Sequence, residues 1–205
     1  MQKSKVALTF DDGPCGFTEK ILDTLEAHKA CASFFVLGSK VASNKGTIQR
    51  AHAAGNEIIS HSWSHCKNPC LSELDADAIK KELRDTQAAI RSVVSVPEKS
   101  PMLMRPPYGK VSDTLKSVTR ELDYAIVNWS VDPLDWECLD ADIVFDRIMS
   151  LVHDGAIILS HDVHASTAQA MERVIPSLLE KYQLVTLSEL LQDTVLQAGE
   201  VYEKV

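Results

Sequence analysis

The chain has 205 residues, 45% of them hydrophobic and 24% charged, enough for one substantial core. Its formal net charge of -8 argues against a nucleic-acid partner, which needs a basic face, and against polyanionic substrates, which it would repel; a neutral substrate fits better. No apolar run approaches the ~20 residues of a transmembrane helix, and the basic start MQKSK leads into an apolar stretch too short for a signal peptide.

Residues 6–10 (VALTF) read as a buried strand that runs straight into Asp11 and Asp12, then Gly13 and Pro14. Two adjacent carboxylates at the end of an apolar strand are costly unless cations or a metal compensate. Residues 17–30 carry Ile21, Leu22 and Leu25 at helical spacing. Residues 31–38 (CASFFVLG) are a strand and 39–55 a helix ended by Gly55. Residues 56–60 (NEIIS) are the next strand and deliver His61 and His65. Residues 71–94 form a long helix, with SELD at its start as a capping element. Strand 101–104 (PMLM) delivers Arg105 and Tyr108; helix 111–122 follows. Strand 124–131 delivers Asp132, Asp135 and Trp136, and helix 140–155 closes at Gly155. Strand 156–160 (AIILS) delivers His161, Asp162 and His164, helix 167–182 follows, and strand 183–188 leads into 189–197.

Strands alternating with helices imply a parallel sheet with right-handed crossovers, and the nearly all-apolar strands suit a sheet covered on both faces. About seven such units make a compact (β/α) barrel, complete or incomplete, the leading architecture. An open doubly wound sheet ranks second, because the first strand lacks a Gly-rich phosphate turn. No linker, low-complexity segment or repeat divides the chain, so residues 1–205 are expected to form one domain. Five cysteines, an odd number without a Cys-x-x-Cys pair, make neither a complete disulfide framework nor a thiolate zinc site. Cys66 and Cys70 are spaced to close a small loop in an oxidising compartment.

Each charged cluster alone has an ordinary reading: a capped turn, a rigid bend, a hydrogen-bonded histidine at the core edge. Their conjunction at the C-terminal ends of five strands is what barrels use to build active sites. One aspartate and two imidazoles make a three-ligand divalent-metal site, His61 and His65 lying one helical turn apart. The other aspartate stays ionised, oriented by Arg105.

At these residues the sequence resembles the polysaccharide deacetylases of carbohydrate esterase family 4, the NodB-homology fold. TFDDGP (Thr9 to Pro14), HSWSH (His61 to His65), RPPYG (Arg105 to Gly109), DPLDW (Asp132 to Trp136) and LSHD (Leu159 to Asp162) match the family's five motifs in order. The resemblance implies a distorted (β/α) barrel and a divalent ion, Zn²⁺ with Co²⁺ as alternative, held by Asp12, His61 and His65. It implies Asp11 as the base toward water, positioned by Arg105. The backbone N–H of Tyr108 would steady the oxyanion, and His161, oriented by Asp135, would protonate the leaving amine. Trp136 and Leu159 would line the acetyl-methyl pocket. The implied activity is removal of N-acetyl groups from a cell-wall glycan, chitin or its oligomers first, at an extracellular or cell-surface location. The alternatives are a catalytically silent relative with a binding or wall-associated role, favoured by the unusual metal loop HCKNPC, and a small-molecule amidohydrolase.

Overall fold

A computed structural model describes residues 3–95 and 101–203; the expected domain span of 1–205 includes residues outside that set. Eight strands follow in order: β1 (Ser4–Asp11), β2 (Ser33–Val36), β3 (Glu57–Ser60), β4 (Met102–Met104), β5 (Tyr124–Val127), β6 (Ile157–His161), β7 (Tyr182–Leu184) and β8 (Val201–Tyr202). The helices are α1 (Gly16–Ala27), α2 (Gly38–Val41), α3 (Lys45–Ala53), α4 (Ala76–Val93), α5 (Asp113–Glu121), α6 (Asp135–Cys138), α7 (Ala141–Leu151), α8 (Ala165–Lys181) and α9 (Leu187–Leu190). The sheet order is β6-β1-β2-β3-β4-β5-β8, with β7 beside the first residues of β1, and the strand pairs are parallel. No helix among the described residues is long and apolar enough to cross a membrane.

The sheet curls into a partial barrel. After β5 the chain leaves the β4 side, and Val131 bridges Ile158 of β6, bringing the far end of the sheet back toward its start. The expected strand 124–131 is therefore two pieces, a four-residue strand and this crossing segment. β8 was not expected; two residues are too few to carry a periodicity.

Strand alternation divides the core into two layers. Val6, Leu8 and Phe10 of β1, with Phe34 and Val36 of β2, pack outward against α1, α3 and α8 through Ile21, Leu25, Ile48, Met171 and Ile175. Residues of the opposite parity, Ala7, Phe35, Ile59, Leu103, Ala125, Val127 and Ile157, form the inner layer together with Leu187 and Leu190 of α9.

The expected helix 39–55 is broken into α2, a 3₁₀ turn (Ala42–Asn44) and α3. Ser43 Oγ and Asn44 Nδ2 both donate to the Lys40 carbonyl, at 3.1 and 2.9 Å, and side-chain bonds of this kind compete with a continuous helix. The long helix starts at Ala76, where the Asp75 carboxylate caps the Ala78 amide at 2.9 Å; the preceding Glu73 instead accepts from the Cys70 amide.

Candidate functional site

The same alternation that sorts the core selects the site. Asp11 closes β1 with the parity of Ala7, and His161 closes β6 with the parity of Ile157. The two residues are directly paired across the sheet. His61 and Arg105 lie one residue beyond β3 and β4, two residues after the inner-layer Ile59 and Leu103. Period-two geometry thus aims all four at the C-terminal mouth of the curl.

Asp12, His61 and His65 each offer one ligand atom, and these atoms lie within 4.8 Å of one another. Asp12 Oδ1 is 3.4 Å from His61 Nε2 and 3.1 Å from His65 Nε2. That oxygen is buried and lacks a hydrogen-bond partner among the described residues, as a ligand atom converging with two others would. His61 Nδ1 donates to the Arg105 carbonyl at 2.8 Å, which leaves Nε2 as the lone-pair nitrogen facing Asp12. Burial lowers the His65 pKa despite the opposing pull of Asp12, keeping that ring neutral as a ligand must be. Burial would raise the Asp12 pKa, but the contact with His61 and the positive charges that His61, His65 and His161 carry in acid, where Asp12 would take up its proton, outweigh it and hold the carboxyl well below its usual range. The donor set fits a divalent cation such as zinc.

The histidines do not converge by helical spacing. Ser62 (φ 71°) and His65 (φ 50°) are in the left-handed region, so a tight turn brings His65 back toward His61. Asp12 (φ 76°), Tyr108 (φ 61°) and Leu134 (φ 54°) share that conformation at the same mouth, and such backbone strain concentrates at functional loops.

Two buried acid-base pairs flank the triad. Arg105 is fully buried, and its Nη1 donates to Asp11 Oδ1 at 2.7 Å and Thr9 Oγ1 at 2.8 Å. Nε and Nη2 donate to the carbonyls of Val127 and Asn128 at 3.0 and 2.8 Å, while the guanidinium lies 4.0 Å from the Phe35 ring centroid. Burial lowers the Arg105 pKa and Asp11 opposes that shift. The second Asp11 oxygen is 3.7 Å from His61 Nε2, beside the triad. On the other side, fully buried Asp135 accepts from His161 Nδ1 at 2.7 Å through Oδ1, and from the His161 amide and Thr167 Oγ1, both at 2.7 Å, through Oδ2. Burial disfavours the His161 imidazolium, but Asp135, by hydrogen bond and charge, then Asp11 and Asp12, raise its pKa to about 9.

Trp136 is exposed on α6 beside Asp135, and Leu159 is buried on β6 two residues before His161. Tyr108 is exposed, its ring edge-on to His65 with centroids 4.7 Å apart. Asp132 caps its own turn by accepting from the Leu134 amide. Thr9, Thr167 and Lys40, whose Nζ donates to the Asp12 carbonyl at 2.8 Å, were missed as supports. Thr9 lies inside TFDDGP and was open to notice; Thr167 and Lys40 stand in helical stretches and reach the site only through the fold. All five cysteines are free thiols.

A curled parallel β/α sheet thus brings Asp12, His61 and His65 together at its C-terminal mouth, between the Asp11–Arg105 and Asp135–His161 pairs, a donor set able to hold a divalent ion. Comparison with known proteins is specific: residues 1–127 match the family model described as polysaccharide deacetylase, and the chain belongs to that family. It is 42% identical over 187 residues to the peptidoglycan-N-acetylmuramic acid deacetylase PdaC of Bacillus subtilis, covering 90% of this chain but 38% of PdaC, well under half that relative's length. It is 34% identical over 190 residues to a chitooligosaccharide deacetylase of Sinorhizobium fredii, covering 86% of each. A family 4 acetyl xylan esterase from Clostridium thermocellum, solved in complex with a cobalt ion, superposes with a TM-score of 0.87 at 32% identity over 98% of both chains.

Proposed function

We propose that this chain is a metal-dependent deacetylase of an N-acetylated cell-wall glycan. The observation that carries the reading is the convergence of Asp12, His61 and His65 between two separately supported proton-transfer groups, Asp11 and His161. Zn²⁺ is the expected ion, with Co²⁺ as a substitute. A divalent ion held by these three residues would supply Lewis-acid polarisation and acidify water.

The chain's own residues then divide the labour. Arg105 occupies one oxygen of Asp11 and leaves its second oxygen to take a proton from the attacking water. Asp135 holds His161 by Nδ1, so Nε2 carries the proton destined for the leaving amine. A base and an acid on separate residues suit amide hydrolysis, because an amine leaves poorly without a proton. The Tyr108 N–H is the proposed donor to the carbonyl oxygen as charge develops there. Trp136 and Leu159 are proposed to cup the acetyl methyl.

Relatives named for peptidoglycan and for chitooligosaccharides share the chemistry of an N-acetylated hexosamine polymer. Chitin oligomers are the first expected substrate, and a wall substrate places the protein outside the cell or at its surface. The test is acetate release from N-acetylglucosamine oligomers and peptidoglycan fragments, side by side, with Zn²⁺ or Co²⁺ and an Asp11→Asn control. Release that disappears in the control is expected. Release from neither polymer while the ion is bound would favour a silent binding protein; release only from small N-acetyl compounds would favour a small-molecule amidohydrolase.

A further inference from the structure

The geometry points to Glu82, on α4 and outside the reaction centre, as a positioning residue for the ion site: its carboxylate fixes the turn between the two histidines and so sets where His65 points. The inference rests on the reading of Asp12, His61 and His65 as ligands.

The two histidines are not equally secured. His61 directly follows β3, is buried, and has its far nitrogen tied to the Arg105 carbonyl. His65 stands four residues farther out on a turn with left-handed backbone at Ser62 and at His65 itself. Its amide is held at 3.3 Å by the Ser62 hydroxyl. The position of its imidazole therefore depends on whatever holds residues 62–64.

That turn is clamped from two sides. The amides of Gly38 and Ser39, at the start of α2, donate to the carbonyls of Ser62 and Trp63 at 3.0 and 3.2 Å. From the other side Glu82 Oε2 accepts from the amides of Trp63 and Ser64 at 2.8 and 2.9 Å, and Oε1 accepts from the Ser64 hydroxyl at 2.8 Å. One carboxylate thus takes three hydrogen bonds from two consecutive residues of the turn, in the charge-assisted class. Close packing completes the clamp: a Cβ placed at Gly38 would lie 2.5 Å from the Trp63 ring and 2.8 Å from the Thr86 backbone, so α2, the turn and α4 meet without slack. α4 is a long helix packed through Ile79, Leu83 and Ile90, a rigid base from which to fix a ligand.

The experiment is a titration of metal-free protein with Co²⁺, read by its visible absorption, and with Zn²⁺ by competition, alongside melting of the metal-free forms. Loss of an outer-shell partner typically weakens metal binding about 10- to 100-fold, and that is expected for Glu82→Ala together with an altered Co²⁺ spectrum. Glu82→Asp keeps the charge but shortens the reach, and should weaken binding in the same direction. Glu82→Gln should stay within a few-fold of wild type, since its amide oxygen can accept both N–H groups and its NH₂ can donate to the Ser64 hydroxyl. A role confined to helix stability would lower the melting temperature and leave affinity and spectrum alone. Wild-type affinity and spectrum in both Glu82→Ala and Glu82→Asp would overturn the inference while leaving the ion site standing. Failure of wild type to take up either ion would remove the site reading and this inference with it.

Discussion

Asp11 and Asp135 solve the same problem, a carboxylate out of water, with opposite partners. Asp11 leans on a fully buried guanidinium, and removing that partner by Arg105→Ala should cost about 3–5 kcal/mol in denaturant unfolding, since it strands a buried charge. Asp135 leans on an imidazole whose pKa, against burial and with the added charges of Asp11 and Asp12, it helps lift from 6.5 to about 9. A raised folded-state pKa means that this pair stabilises fully below pH 6.5 and loses its contribution as pH rises through about 9. If His161 is the acid, its deprotonation should set the basic limb of the rate profile, above the ordinary histidine range. Asp135→Asn should move the limb toward the ordinary histidine range, and an unmoved limb would mean that another group supplies the proton. The charged residues at these strand ends were legible in the sequence because ionisable groups stand out at the ends of apolar runs. Thr9, which shares the Arg105 guanidinium with Asp11, stands inside TFDDGP, but Thr167 was not legible, because a threonine in a helix carries no signal until the fold sets it against a carboxylate.

The elements were legible where periodicity is long and obscure where side chains redirect the backbone. Seven strands are recognisable as apolar runs; the break between α2 and α3 turns on Ser43 and Asn44 both choosing one carbonyl, a local competition that hydrophobic spacing does not record. The expected helical turn between His61 and His65 is a strained loop for the same reason: spacing alone does not distinguish the two. At this scale Asp162 links β6 to the start of α1. Its Oδ2 accepts from Thr18 Oγ1 at 2.5 Å, its carbonyl accepts from Cys15 Sγ at 3.1 Å, and a Cβ at Gly13 would lie 2.1 Å from its carboxylate. Burial, then the charges of Asp12 and Asp11, outweigh the Thr18 bond and raise its pKa to about 7. The folded state therefore retains a proton that the unfolded chain releases near pH 4, and Asp162 makes stability decline as pH rises toward 7 and through it. Asp162→Asn should flatten that decline in melting temperature between pH 5 and 8; an unchanged slope would mean that Asp162 ionises normally in the fold. Asp75→Ala, which removes the cap of α4, should cost about 1 kcal/mol of unfolding free energy.

Across the whole molecule, the curl joins what the sequence separates. β1 and β6 end in Asp11 and His161, β3 and β4 lead into His61 and Arg105, and the bridge from Val131 to Ile158 brings the Asp135 segment against His161. An ion bound to Asp12, His61 and His65 would tie the ends of β1 and β3 together. Binding should raise the melting temperature in proportion to RT ln(1 + [ion]/Kd), about 4 kcal/mol at a thousandfold excess over Kd. Chelation should reverse that rise, and His65→Ala should abolish it.

The most direct measurement is acetate release from N-acetylated glycan as metal-free protein is titrated with Zn²⁺. Metal-dependent deacetylation at this site predicts that release climbs linearly, breaks at one equivalent, and is absent from His65→Ala and Asp11→Asn. Release that is indifferent to chelator, or an ion bound at this triad with no acetate from any N-acetylated substrate, would contradict it.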